Sequence, residues 1–192
     1  MRILTLRILE PLPGNVPQAI APDDLGPDEA ARRYRAVVLT TMRQLRGLEA
    51  TTIRILTDPA DANEAIRFWL LPKLSDHWEN NDPDFQTTGW ALSFATTAPT
   101  ASVRAEADIL CPFLSARWIH TALIGIERGG HRVTGPSDDG GHCFNAEPTD
   151  AASPLETRAL PPLPVVKTAG QWDQALKSPL GPALKKAWKE EA

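Results

Sequence analysis

The residues best suited to chemistry are carboxylates that stand beside turns. Asp108 opens the stretch Asp108-Ile109-Leu110-Cys111-Pro112-Phe113-Leu114, directly after the alternating Val103-Arg104-Ala105-Glu106-Ala107. A carboxylate at a strand end has two uses. It caps the backbone N–H groups of the following turn, or it holds a hard divalent cation such as Mg²⁺ or Mn²⁺ whose oxygen shell a diphosphate completes. Asp139 stands in Gly135-Pro136-Ser137-Asp138-Asp139-Gly140-Gly141-His142. Its Asp-Gly pair is ordinary turn chemistry, and the same acid can serve as a second ligand or can orient or deprotonate a hydroxyl. Gly140 and Gly141 let the backbone approach a ligand or take positive φ.

The remaining candidates read differently. Cys111 and Cys143 are the two cysteines. No C-x-x-C or H-x-x-x-H spacing accompanies them, so a zinc site is not indicated. A nucleophilic thiol needs a base and a group that orients it. His142 and Cys143 are neighbours, and strand neighbours point to opposite faces. Both thiols therefore read as small, half-buried residues. The six tryptophans supply core area or a stacking surface, with Trp90, next to Gly89, nearest to a loop. Lys185, Lys186 and Lys189 read as a solvated helix face.

The elements that must position these groups alternate. Residues 2–9 form a first strand, stopped by the Glu10-Pro11-Leu12-Pro13-Gly14-Asn15 turn. Pro27, Asp28 and Glu29 open a helix in which Tyr34, Val37, Val38, Thr41, Leu45 and Leu48 recur at helical spacing. Residues 51–57 are β-branched and short, a second strand. A helix over 61–71 is expected to end at Pro72. Residues 73–84 read as a surface loop and 88–95 as a short helix. Residues 103–109 form a third strand. Ser115 caps a helix with Ile119, Ala122, Leu123 and Ile126 inward, which Gly129-Gly130 ends. Residues 131–135 form a fourth strand. The Leu160-Pro161-Pro162-Leu163-Pro164 stretch is an extended connector, and 182–191 an amphipathic helix with Leu184, Ala187 and Trp188 inward. Strand-helix alternation of this kind builds a mostly parallel sheet. Ligands of such sheets sit beyond the carboxyl ends of the strands, here the loops 10–26, 108–114 and 135–142. The turn at Asp139 is expected to follow a central strand.

The Gly135–His142 stretch resembles the GP..DGGY motif of a bacterial family of glycosyltransferase-like proteins. Further pieces resemble that family in the same order. Pro11–Pro22 (PLPGNVPQAIAP) is similar to its PVPGRVKTRLAP loop. Leu25–Ala31 with Tyr34-Arg35 is similar to its LGPEEAAxLYR helix start. Gln86 with Gly89 and Ala95 faintly resembles its Q…GDLGERM…A segment. Asp108–Leu114 is similar to its GTDxPxL turn, and Leu160–Thr168 (LPPLPVVKT) to its closing LPPLxDVDT. The resemblance covers most of the chain. It implies the GT-A fold of nucleotide-diphospho-sugar transferases, a three-layer αβα sandwich with a mixed, mostly parallel central sheet, in a single domain over 1–192.

The resemblance also implies a site. Pro13, Gly14, Asn15 and Gln18 of the first loop, with Gly140 and Gly141, would bind the nucleotide. Asp108 would hold Mg²⁺ or Mn²⁺ together with that nucleotide, with none expected in the free protein, and Asp139 would be catalytic. The departures bear on this directly. Where the family's loop has Lys and Arg for phosphate, this chain reads Pro17-Gln18-Ala19-Ile20. Where the family closes with carboxylates, it reads Val165-Val166-Lys167-Thr168, and Lys167 is expected beside Asp108. The acidic GDLGER-like piece has become Thr87-Thr88-Gly89-Trp90, and the piece between Phe144 and Leu160 is shorter than the family's. Two readings follow: a nucleotide-sugar-binding transferase, of glycosyl or nucleotidyl type if active, or a degenerate GT-A-like module that binds or regulates, with a neutral pocket shaped by Pro17, Ile20, Val165 and Val166.

Composition bounds the rest. At 192 residues, 42% hydrophobic and 23% charged, the chain is an ordinary globular domain. A net charge of −4 disfavours nucleic acid as a partner. Low cysteine usage and the absence of a long apolar run point to a cytoplasmic protein without a membrane span. Arg2, Arg7 and Glu10 interrupt the N-terminal apolar stretch and make it a strand and not a leader.

Overall fold

The computed structural model describes residues 1–74, 91–97, 100–150 and 155–191. Its strands are β1 (Arg2–Leu9), β2 (Thr51–Asp58), β3 (Leu92–Ser93), β4 (Val103–Ala107), β5 (Arg132–Pro136), β6 (His142–Pro148) and β7 (Thr157–Ala159). Its α-helices are α1 (Gly26–Gln44), α2 (Asn63–Leu74), α3 (Ala116–Gly129), α4 (Ala169–Lys177) and α5 (Gly181–Glu190). The strands form one sheet in the order β3-β2-β1-β4-β6-β5-β7. Parallel pairing joins β1 to β2 and β4, β2 to β3, and β5 to β7. Among the described strands only β6 runs the other way, between β4 and β5. The chain is thus an α/β protein with a mixed, mostly parallel sheet flanked by helices.

The period of two in β1 drives this packing. Leu4, Leu6 and Ile8 have no exposure, while Arg7 on the other face is open to solvent. The buried row joins Ile53, Ile55, Ala105, Val133 and Phe144 and the inward residues of all five helices in one core. Burying a side chain of this kind contributes about 1.5–3 kcal/mol. α1 begins with Pro27 in its first turn, followed by Asp28 and Glu29 at the positive end of the helix dipole. α3 begins at Ser115, whose hydroxyl accepts the Trp118 N–H, and ends at Gly130 in the left-handed conformation.

Several elements differ from the sequence reading. Residues 88–90 of the expected helix lie outside the described residues. From 91 on the chain is extended and Leu92–Ser93 pairs with β2, the Ile53 N–H meeting Ala91 O at 2.7 Å. The open edge of β2 offers ladder bonds that outweigh local helix preference. Pro72 does not end α2; the helix runs to Leu74, because Leu70, Leu71 and Leu74 are buried and only one helical hydrogen bond is forgone. The third strand stops at Ala107, where Asp108 Oδ1 accepts the Leu110 N–H and turns the chain. β6, β7 and α4 have no counterpart among the elements expected from the sequence. The Asp139 turn consequently joins β5 to β6 as a hairpin toward one side of the sheet and does not follow a central strand. Of the expected surface loop, 75–84 lie outside the described residues, and 73–74 belong to α2. Among the described residues no helix is long and apolar enough to cross a membrane.

Candidate functional site

Parallel pairing puts the carboxyl ends of β1, β4 and β5 on one edge of the sheet. The chain leaves that edge at Glu10, Asp108 and Ser137. Helix α1 fixes the first of these exits. The buried Tyr34 hydroxyl accepts the Leu9 N–H at 2.8 Å. Arg35 donates to Pro11 O at 2.9 Å, and Arg33 to Ile20 O at 3.3 Å. Burial pushes the Tyr34 phenol well above its ordinary pKa, and the charges of Asp108 and Asp58 add to this against the Leu9 bond, so it stays neutral. At the second exit the Asp108 N–H donates to Cys143 O at 2.9 Å, and Asp108 Oδ1 accepts the Leu110 N–H at 2.9 Å. Oδ2 is left for another partner.

The third exit is the hairpin turn. The Ser137 N–H donates to Gly141 O at 3.0 Å and the Gly140 N–H to Ser137 O at 3.1 Å. Gly140 takes φ +86°, which L side chains rarely adopt. Gly141 leaves room for two polar atoms: a Cβ there would lie 3.1 Å from Ser137 Oγ and 3.3 Å from Asp139 Oδ1. Asp139 Oδ1 accepts the Ser137 hydroxyl and, at 3.1 Å, the Gly141 N–H. These bonds, with the Lys167 charge, hold the Asp139 carboxyl below its ordinary pKa.

The connector after β7 then crosses this edge. The Leu163 N–H donates to Pro136 O at 3.0 Å, the Asp138 N–H to Leu163 O at 3.1 Å, and the Val166 N–H to Leu110 O at 2.8 Å. Asp138 Oδ1 accepts the Val165 N–H at 3.3 Å. The crossing delivers Lys167, whose Nζ stands 2.9 Å from Asp108 Oδ2 and 3.3 Å from Asp139 Oδ2. Burial lowers the Lys167 pKa, but the bond to Asp108 and the charges of both carboxylates outweigh it, and the net shift is upward. The backbone of Lys167 is fixed by Gln171, whose Oε1 accepts the N–H groups of Lys167 and Thr168. Thr168 Oγ1 returns the bond from the Gln171 N–H, a capping box that opens α4.

The structure therefore brings Asp108, Asp139, Gly140 and Gly141 together, with Lys167 at the centre. Pro13, Gly14, Asn15 and Gln18 lie exposed on the loop after β1. Asn15 Nδ2 donates to Glu10 and Gln18 Nε2 to Val16 O. Among the described residues no hydrogen bond joins these four to Asp108, Asp139 or Lys167. The pocket expected from Pro17, Ile20, Val165 and Val166 does not form: Ile20, Val165 and Val166 are core residues, drawn inward by their apolar area. His142 is exposed and Cys143 buried on opposite faces of β6. Cys111 and Cys143 are both fully buried, not half-buried. The neighbouring Cys143 thiol and burial push the Cys111 thiol up, so it is no nucleophile. Sequence reasoning missed Ser137, Asp138 and Gln171. The Thr168-Ala169-Gly170-Gln171 spacing carried a readable signal for the last, since S/T-x-x-E/Q marks a capping box.

Two carboxylate oxygens aimed at one ammonium outline the position of a single cation. An oxygen-only donor pair suits Mg²⁺ or Mn²⁺ and not zinc. Among the described residues no group of three or more His, Cys, Asp and Glu converges, so such an ion would need substrate phosphates to complete its shell. No Lys or Arg stands between Glu10 and Pro22.

No protein-family model and no curated protein matches the chain. Solved structures do. One, from Desulfovibrio desulfuricans G20 and described as a "putative nucleotide-diphospho-sugar transferase", superimposes with a TM-score of 0.69 at 16% identity, over 99% of this chain and 97% of its own. The fold is GT-A-like. Rv0371c from Mycobacterium tuberculosis H37Rv gives a TM-score of 0.47 at 12% identity, over 92% of this chain and 97% of its own. Its manganese complex gives 0.45 at 12%, over 93% of this chain and 100% of its own.

Proposed function

We propose that the protein binds a nucleotide diphosphate, free or as a nucleotide sugar, at the carboxyl edge of its sheet, jointly with a divalent cation. The observation that supports this reading is the convergence of Asp108 and Asp139 on one cation position, which Lys167 fills in the free protein. Asp108 and Asp139 would hold Mg²⁺ or Mn²⁺ through Oδ2 atoms. Such an ion supplies charge for a diphosphate leaving group.

The chain's own residues set the conditions. Asp108, Asp139 and Lys167 together carry one net negative charge, so a diphosphate alone meets repulsion. A divalent ion alone must displace an ammonium at 2.9 Å from Asp108. Ligand and ion entering together resolve both conflicts, since the released Lys167 ammonium can then face phosphate as a point charge. Ser137 and the Gly141 N–H keep Asp139 ionised and aimed at the edge. Gly140 and Gly141 offer backbone without side chains, and the exposed loop residues Pro13, Gly14, Asn15 and Gln18 would reach the nucleotide from the carboxyl end of β1. Asp139 would orient an acceptor hydroxyl.

A second reading is favoured by one observation: the only cation at the carboxylates among the described residues is internal, and the first loop supplies none. On that reading the scaffold persists as a binding or regulatory module without transfer activity. Calorimetry with UDP, GDP and their sugars, each with and without Mn²⁺, separates the two. Saturable binding only when nucleotide and Mn²⁺ are both present supports the first. Silence with every combination at millimolar ligand leaves the module.

A further inference from the structure

A second concavity lies away from the carboxylates, between α3 and the β5–β7 edge. It has a volume of about 610 Å³, with Trp118, Ala122, Val133 and Leu160 on its apolar walls and Arg117 and Arg158 among its polar groups. It shares no residue with the candidate nucleotide site. Small-molecule pockets of about 300–1,000 Å³ combine an apolar wall with a few polar groups that fix orientation, and this groove has that composition.

Its walls have a definite chemistry. Trp118 is 37% exposed, although its α3 neighbours Ile119 and Ala122 are buried. An exposed indole costs the protein burial area and gives a flat face for a ring. The groove has no acid among its lining residues. Among the described residues the Arg117 guanidinium makes no hydrogen bond or ion pair, and the Arg158 guanidinium pairs with Glu156 alone, at 3.4 Å with both side chains largely in solvent. A pair so exposed contributes little and yields readily to a better anion. At the floor, His131 is 5% exposed, and its Nδ1 has no hydrogen-bond partner among the described residues. The helix is shaped to admit that ring: a Cβ on Gly129 would lie 2.7 Å from His131 Nδ1, and one on Gly125 would lie 3.7 Å from His131 Nε2.

We propose that this groove is a binding site for a small phosphate monoester that carries a flat ring. Trp118 stacks the ring against the apolar wall of Ala122, Val133 and Leu160. Arg117 and Arg158 take the phosphate, whose charge of about −2 two guanidinium groups match by forked hydrogen bonds. A neutral ring leaves the two arginines without a partner, and inorganic phosphate leaves the indole bare, so neither half of the ligand suffices.

The test uses phenyl phosphate as the probe, with phenol and inorganic phosphate as its halves, by calorimetry on the whole chain. Arg117, Trp118 and Arg158 are all exposed, so their variants keep the core. Phenyl phosphate is expected to saturate one site, with affinity falling about tenfold or more in W118A and in the double variant R117A/R158A. D139N is expected to bind as the unaltered protein does, which keeps the groove distinct from the carboxylate edge. Equal affinity for inorganic phosphate, or phenyl phosphate binding that survives both variants, overturns the proposal. So does concentration-dependent dimerisation in sedimentation that W118A abolishes, because the groove would then be an interface between two copies.

Discussion

Lys167 Nζ lies 2.9 Å from Asp108 Oδ2, on the one oxygen of that carboxylate that the Leu110 N–H does not hold. The ammonium occupies the place a divalent ion needs. The free protein is therefore expected to show no saturable Mn²⁺ heat below concentrations on the order of a millimolar. Lys167→Asp removes the competitor and adds a ligand, and should raise Mn²⁺ affinity by at least about tenfold. Tight Mn²⁺ binding by the unaltered protein that Asp108→Ala abolishes would refute this assignment of Lys167.

The same bridge predicts a pH dependence. Asp139 has its pKa lowered in the folded state, by Ser137 first and then by Gly141 and Lys167. Its contribution is thus present above the unfolded value of about 3.9 and lost as pH falls through the lower folded value. Lys167 is raised, so its contribution is complete below about 10.4 and lost as pH rises through the higher folded value. The melting-temperature gap between the protein and Asp139→Asn should be constant from about pH 5 to 9, close in acid, and narrow in base only by the share that Lys167 contributes, since the Ser137 and Gly141 bonds persist there. A gap that widens in acid would contradict the bridge.

These residues also show what a sequence reveals and what it hides. β1 and α3 were legible because one face of each is apolar at a clean period and each has a local stop or cap. The hairpin of β5 and β6 was not, because His142–Pro148 alternates polar and apolar residues without a strongly β-forming run. Missing that strand displaced the Asp139 turn from the side of the sheet to its centre. The encounter of Lys167 with Asp108 was legible only through the resemblance of the closing segment. Nothing local relates positions separated by the whole hairpin. The hold of Asp138 on Val165 was invisible for the same reason: it is a contact between a turn and a crossing segment.

A cluster far from the carboxylates should control stability. The Glu191 side chain is 4% exposed and forms ion pairs with Arg35 at 2.8 Å and Lys73 at 2.5 Å. It also accepts from Trp69 Nε1. Removing its charge leaves Arg35 and Lys73, both partly buried, without their counter-ion. Glu191→Gln should cost about 2–3 kcal/mol in urea unfolding, toward the low end for a broken buried pair because both cations keep some water. Arg35 also holds Pro11 O, so amide exchange in the loop after β1 should quicken in the same variant. A loss below about 0.5 kcal/mol would place the pair among surface contacts.

The two glycines of the hairpin turn should fail in different ways when replaced. Gly140 has φ +86°, and a Cβ there would meet nothing within 4 Å. Gly140→Ala should therefore cost about 1 kcal/mol through backbone strain alone and leave the Asp139 carboxylate in place. Gly141 has no such φ, but its Cβ would press on Ser137 Oγ and Asp139 Oδ1, at 3.1 and 3.3 Å. Gly141→Ala should displace that carboxylate from the bonds that keep it ionised. Its pKa, followed by carboxyl ¹³C shifts, should move up toward the ordinary value in Gly141→Ala and stay low in Gly140→Ala. If nucleotide and Mn²⁺ bind together at this edge, the pair should lose affinity in Gly141→Ala by more than in Gly140→Ala. An equal pKa in the two variants would show that Asp139 is held by the turn's backbone and not by the space that Gly141 leaves.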